Sequence, residues 1–108
     1  MKDMRYKLFI DDLRYPVNPD WFIARTSTDA IYAIINYGMP TEIAFDHDLG
    51  GDDTSIIFIK WLEDQFLDRM LEIPESCIKY SVHSQNPIGA ANIKNRMDGL
   101  NEYFKTVR

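Results

Sequence analysis

The sequence predicts a small open α/β sheet, mainly parallel, with strand order 2-1-3-4 and helices on both faces. Three observations lead there. Four short β-type runs alternate with helical patterns, which is the signature of a sheet built by right-handed crossovers. The 108 residues are 45% apolar, enough for one packed core and too few for two, so residues 1–108 are expected to form a single domain. Three of the four runs end in polar clusters that contain both histidines, at the carboxyl ends where open α/β sheets bind ligands.

The elements follow in order. Tyr6–Ile10 reads as a first strand ending at Asp11-Asp12. A turn rich in Pro16, Asn18, Pro19 and Asp20 leads to a short second strand at Trp21–Ala24. No helix fits residues 11–20, so the first two strands pair either parallel through a short crossover or antiparallel. Ser27 or Thr28 is placed to cap a helix through Ala30, Ile31, Ile34 and Ile35, which stops at Gly38 before Pro40. Glu42–Phe45 is a third strand ending in Asp46-His47-Asp48. Gly50-Gly51 suits a tight turn, and Asp52, Asp53 or Thr54 suits the cap of a helix over Ser55–Leu71, with Phe58, Leu62, Phe66 and Met70 on one face. Ile78–Val82 is a fourth strand ending at His83-Ser84. Pro87 then opens a last helix with Ile93, Met97, Leu100 and Phe104 along its buried stripe.

Composition narrows the function classes. The formal net charge is -5, and all of the surplus lies in the first half. Residues 1–54 hold five Lys/Arg against ten Asp/Glu, while residues 55–108 hold seven of each. This disfavours binding of extended nucleic-acid duplex, which needs clustered cations. The one cysteine, Cys77, excludes an internal disulfide and a multi-Cys zinc site. The longest apolar run, Ala30–Ile35, is far short of the ~20 residues of a membrane helix. Met1–Arg5 carries no apolar leader, so a cytoplasmic location is expected.

The polar clusters are the candidate site. Asp11, Asp12, Asp46 and Asp48 converge on one sheet edge, where their mutual repulsion calls for a cation. Arg14, a protonated histidine, or a divalent ion would supply it, and oxygen ligands in this number suit Mg²⁺ or Mn²⁺. The run from Asp46 to Asp52 does not make a calcium loop, because the twelfth position is Ile57 rather than a bidentate glutamate. His47 and His83 are placed as metal ligands or as an acid–base pair. Asn86, Pro87 and Gly89 read as a helix start, with backbone N–H groups suited to an anion. No Gly-x-Ser-x-Gly elbow surrounds Ser84, which sets it aside as a nucleophile. Tyr15, Trp21 and Tyr80 are candidates for stacking on a base, although Trp21 and Trp61 suit the core or its rim equally well.

Taken together, Asp11-Asp12-x-Arg14-x-Pro16, Asp46-His47-Asp48-Leu49-Gly50 and His83-Ser84-x-Asn86-Pro87-x-Gly89 resemble the three motifs of the cyclic-phosphate-processing receiver domains. The chain is similar, more distantly, to the receiver domains of response regulators. Two departures stand out: no residues remain for a fifth strand with its lysine, and Thr54-Ser55 stands where a Thr-Gly pair is expected. The closer resemblance implies a receiver-like fold and phosphoester chemistry on a cyclic phosphate, either an RNA 2′,3′-cyclic end or a cyclic nucleotide. In that reading His47, His83 and Asp46 are catalytic. Arg14, Ser84, Asn86 and Gly89 bind phosphate, and Asp11, Asp12 and Asp48 orient the histidines or hold a metal. Two other readings stay open: a module that binds a phosphorylated nucleotide without catalysis, and a degenerate receiver with Asp46 as phosphoacceptor.

Overall fold

The computed structural model describes residues 5–107; Met1–Met4, on which the reading of a leader-free N-terminus falls, lie outside the described residues, as does Arg108. The chain forms β1 (Lys7–Ile10), β2 (Phe22–Ala24), α1 (Ser27–Tyr37), β3 (Glu42–Phe45), α2 (Ser55–Leu67), β4 (Lys79–Val82) and α3 (Pro87–Val107). The four strands make one sheet in the order β2-β1-β3-β4, as predicted, and every pairing is parallel. The open question about the first connection is thereby settled. A parallel return past a four-residue strand needs to span only about 13 Å, and the eleven residues from Asp11 to Trp21 reach that distance without a helix.

The expectation of helices on both faces does not hold among the described residues. Leu8, Ile10, Ala24, Ile43 and Phe45 point to one face and form a single core with Ala30 and Ile34 of α1, Phe58, Leu62 and Phe66 of α2, and Ile93, Met97 and Phe104 of α3. The reason lies in the strand order. The steps β2→β3 and β3→β4 run in the same direction across the sheet, so right-handed crossovers put α1 and α2 on the same side. Only β1→β2 steps the other way, and it carries no helix. The terminal α3 is free of any crossover and packs beside α2. Phe9 and Ala44 face the helix-free side, where Phe9 meets Trp21 edge-on with ring centroids 6.1 Å apart. Lys7 lies 5.5 Å over the Trp21 ring and 3.9 Å from Glu42, so long side chains shield the strand backbone there.

Two helix ends differ from the expected ones. The cap of α1 is Thr26, one residue before the predicted Ser27, and its hydroxyl accepts the Asp29 N–H at 3.0 Å. Ser27 is occupied elsewhere: its N–H and hydroxyl both donate to Asp53, tying the start of α1 to the loop before α2. Asp53 therefore has the structural role expected of it, but it serves the neighbouring helix. Helix α2 ends at Leu67 rather than Leu71. Arg69 adopts a left-handed φ of 60°, its N–H bonds the Phe66 carbonyl at 3.1 Å, and the Met70 N–H bonds the Gln65 carbonyl at 2.8 Å. This pair of bonds is a Schellman motif. Met70 continues the apolar period by accident and stands exposed. An arginine in the place usually taken by glycine hides the stop from the sequence.

At the far end of β4, Asn101 of α3 accepts the Ile78 N–H at 2.8 Å and donates to the Ile78 carbonyl at 3.0 Å. One side-chain amide thus satisfies both backbone groups of the residue that leads into this edge strand. A left-handed residue with a Cβ is strained, so Arg69→Gly is expected to raise the stability of the folded chain by about 0.5–1 kcal/mol. Urea denaturation checks this through an increased midpoint at unchanged slope.

Candidate functional site

The parallel ladder continues one residue past the strands and places the motif residues side by side. The Asp46 N–H bonds the Ile10 carbonyl at 2.9 Å, and the His83 N–H bonds the Phe45 carbonyl at 2.8 Å. Asp11, Asp46 and His83 consequently follow directly on β1, β3 and β4 at one level. Asp11 is 1% exposed and its carboxylate is fully used. Oδ1 accepts the N–H groups of Leu13 and Arg14 at 2.9 and 2.8 Å. Oδ2 lies 3.0 Å from His83 Nε2 and 3.2 Å from Arg14 Nε. The His83 ring stacks on Phe9, with centroids 4.9 Å apart and planes at 8°. It crosses over β3 to do so, and the small side chain of Ala44, the sheet partner of Phe9, leaves the room.

The cation required by the acidic edge is Arg14, whose Nη2 lies 3.7 Å from Asp46 Oδ2 while its Nε meets Asp11. The two carboxylates respond in opposite ways. Burial pushes the Asp11 carboxyl up, but the Arg14 and Leu13 N–H groups, the His83 ring and the Arg14 charge outweigh it and hold it below the usual carboxylate value. Burial and then the negative charge of Asp11 raise Asp46, and Arg14, His83 and the His47 N–H offset only part of that rise.

His47 sits on the other side of β3. Its Nδ1 is 3.0 Å from Asp48 Oδ1, and its side chain is 13% exposed. The ring rests on the backbone of Gly89, where a Cβ would come within 2.4 Å of the imidazole Cγ. Any side chain at position 89 displaces this histidine. Ser55, fully buried, donates its hydroxyl to the Asp46 carbonyl, and its N–H bonds the His47 carbonyl at 2.9 Å. A serine thus stands in the position after Thr54 and fixes the backbone that carries both site residues. Sequence reasoning missed Ser55; a small hydroxyl residue directly after a cap position was its only signal. Arg25 was also missed. Its Nη1 donates to the carbonyls of Asp11 at 2.9 Å and Arg14 at 2.6 Å, fastening the loop that bears Arg14.

At the start of α3, Ser84 Oγ accepts the Asn86 N–H at 3.0 Å and Asn86 Oδ1 accepts the Gly89 N–H at 2.9 Å. The cap therefore engages two of the N–H groups expected to face an anion. Arg14, Asp46, Asp48, Ser84, Gln85 and Asn86 line an open pocket of about 320 Å³. The histidines do not line it directly. His47 joins it through Asp48, and His83 joins it through Asp11 and Arg14. A carboxylate on one ring nitrogen fixes the tautomer and leaves the other nitrogen for proton transfer. Asp12 is half-buried, and one of its oxygens lies within 4.8 Å of an oxygen from each of Asp11 and Asp46. Three carboxylates suit a hard divalent ion by their chemistry, and Arg14 already occupies two of them. A larger pocket of about 680 Å³, beside Pro40 and residues 70–78, lies at the other end of the sheet and contains none of these residues.

A family model described as the cyclic-phosphate processing receiver domain matches residues 6–99. The chain belongs to this family. Searches of curated proteins and of solved structures return no match. All three resembling motifs fall inside the matched span, and the strand order and parallel pairing are those of a receiver-like sheet. Among the described residues the sheet has no fifth strand, and no helix is long and apolar enough to cross a membrane.

Two measurements follow from this geometry. Gly89→Ala is expected to lose about 1–3 kcal/mol, because the methyl overpacks against the His47 ring; thermal unfolding reads the loss, and the imidazole resonances of His47 shift in nuclear magnetic resonance spectra. Asp46→Asn is expected to stabilise the protein at neutral pH and not at pH 3. The folded chain keeps the Asp46 proton after the unfolded chain has released it at about 3.8, so wild-type stability falls as pH rises through that window. Asp11 acts in the opposite sense: its contribution is present above the unfolded value and is lost as pH drops through the lowered folded one. A melting-temperature series over pH that shows no growing advantage of Asp46→Asn above pH 4 refutes the assignment.

Proposed function

We propose that the protein is a small phosphoesterase that opens a cyclic phosphate by histidine acid–base chemistry. The observation that carries this reading is Arg14, an arginine on the pocket wall between the carboxylates of Asp11 and Asp46, with His83 held by Asp11 and His47 held by Asp48, a further residue of that wall. Its hold on Asp46 is long and half-exposed, so an arriving phosphate competes for the guanidinium and finds there a planar pair of donors. Ser84 and Asn86 line the same pocket, and Asn86 Oδ1 holds the Gly89 N–H behind it.

In the reaction one histidine takes a proton from water as the oxygen attacks phosphorus. The P–O bond to one sugar oxygen breaks, and the second histidine gives that oxygen a proton. The product is a phosphomonoester beside a free hydroxyl. Arg14 meets the charge that builds on the phosphoryl oxygens. Asp48 and Asp11 orient the two rings, and Asp46, raised by burial and by the charge of Asp11, stands on the pocket wall as a further proton donor or acceptor. If Mg²⁺ or Mn²⁺ takes part, Asp11, Asp12 and Asp46 would hold it, and it would neutralise the carboxylates and polarise a phosphoryl oxygen.

A second reading has its own support. Neither histidine lines the pocket, as suits a module that binds a phosphorylated nucleotide without turning it over. Incubation with 2′,3′-cyclic and 3′,5′-cyclic nucleotides, in Mg²⁺, Mn²⁺ or EDTA, separates the two. Turnover of one class is expected, with losses of about 10²- to 10⁴-fold in His47→Ala and His83→Ala. Ligand-dependent thermal stabilisation without product establishes the binding module instead.

A further inference from the structure

Exposed apolar side chains lie on the segments that carry the charged pocket residues. Leu13, Tyr15 and Val17 on the β1–β2 loop and Ile88 in the first turn of α3 are all exposed. Each of Leu13, Tyr15 and Ile88 adjoins a residue of the site in the chain: Asp12, Arg14 and Gly89. Tyr15 differs from the other three because it is held in place. The Arg25 guanidinium lies 4.6 Å from the centre of its ring. The same guanidinium is bound to the carbonyls of Asp11 and Arg14, and the Arg25 N–H bonds Asp29 at 3.1 Å. A cation fixed to the end of β2 and the start of α1 therefore supports one face of the ring. The side chain is nonetheless 76% exposed, so its other face is open.

An exposed tyrosine normally loses side-chain freedom when a ligand settles on it. Here much of that freedom is already spent against Arg25, so less remains to be lost on binding. The cation behind the ring also draws on its π-electrons, which favours an electron-rich flat partner on the free face. Arg14, the residue proposed for the phosphate, is the preceding residue in the chain. A nucleobase is a flat partner of this kind, and its sugar links it to a phosphate at the neighbouring Arg14.

We infer that Tyr15, seated on Arg25, is the base-stacking subsite, and that the ligand is a cyclic phosphate carrying a nucleobase rather than a base-free one. This inference rests on Arg14 as the phosphate site. The test compares adenosine cyclic phosphates, 2′,3′ and 3′,5′, with methyl ribofuranosides bearing the same cyclic phosphates. For each, kcat/KM and the calorimetric Kd are measured. Wild type is expected to prefer the nucleotide by about 5- to 150-fold, the range that base–aromatic stacking gives. Tyr15→Ala is expected to bring that ratio close to one, mainly through KM or Kd, and Tyr15→Trp to keep it. Equal handling of nucleotide and riboside by wild type, or a ratio unchanged in Tyr15→Ala, overturns the subsite while leaving the phosphate reading intact. Failure of every compound to bind or react overturns both.

Discussion

The buried carboxylate of Asp11 is the constraint around which the rest of the site is arranged. Taking a carboxylate out of water costs several kcal/mol unless donors replace the lost hydration. Asp11 obtains them from three sources: the backbone of the loop that follows it, the guanidinium of Arg14 and the ring of His83. Each donor is thereby fixed. The two backbone bonds turn the chain sharply after β1 and start the helix-free return to β2. The guanidinium is aimed at Asp46, and the imidazole is tied to the far side of β3. Arg25, directly after β2, completes the arrangement by donating to two carbonyls in the same turn.

This arrangement also gives the acidic half of the chain its meaning. A site with Asp11, Asp12, Asp46 and Asp48 at one edge repels an anion until a cation changes the local sign. Arg14 meets that demand only in part, because Asp46 stays raised by burial and by the charge of Asp11. The two neighbouring carboxyls are therefore unequal: one is held below the usual carboxylate value and the other above it. Such separation of two adjacent acids is how sites divide roles between like residues.

Much of this was legible in the sequence. The third strand was read to the residue, the order 2-1-3-4 followed from handedness, and the polar endings of β1, β3 and β4 marked the edge where the motifs meet. The missed features depend on partners remote in the chain. Nothing near Gly89 announces that an imidazole forty-two residues earlier rests on its backbone. The buried hydroxyl of Ser55 and the Asn101 amide at the end of β4 are equally silent, because each is defined by a carbonyl or an N–H that only the fold brings near; the stop at Arg69 is local, and it is hidden because arginine stands where glycine would mark it. The one-sided helix layer is a different case. It follows from the direction of each crossover, and the general picture of a sheet covered on both faces obscured it.

The contact between His83 and Asp11 joins residues 72 apart in sequence. Strand β4, which carries His83, lies at the edge of the sheet and is held by a single neighbouring strand. Opening of that edge separates the imidazole from the carboxylate while the pairing of β1 with β2 and β3 is still intact. The His83–Asp11 contact is thus the part of the site that depends on an edge strand. Its integrity would report on local opening at β4 separately from the melting of the whole domain.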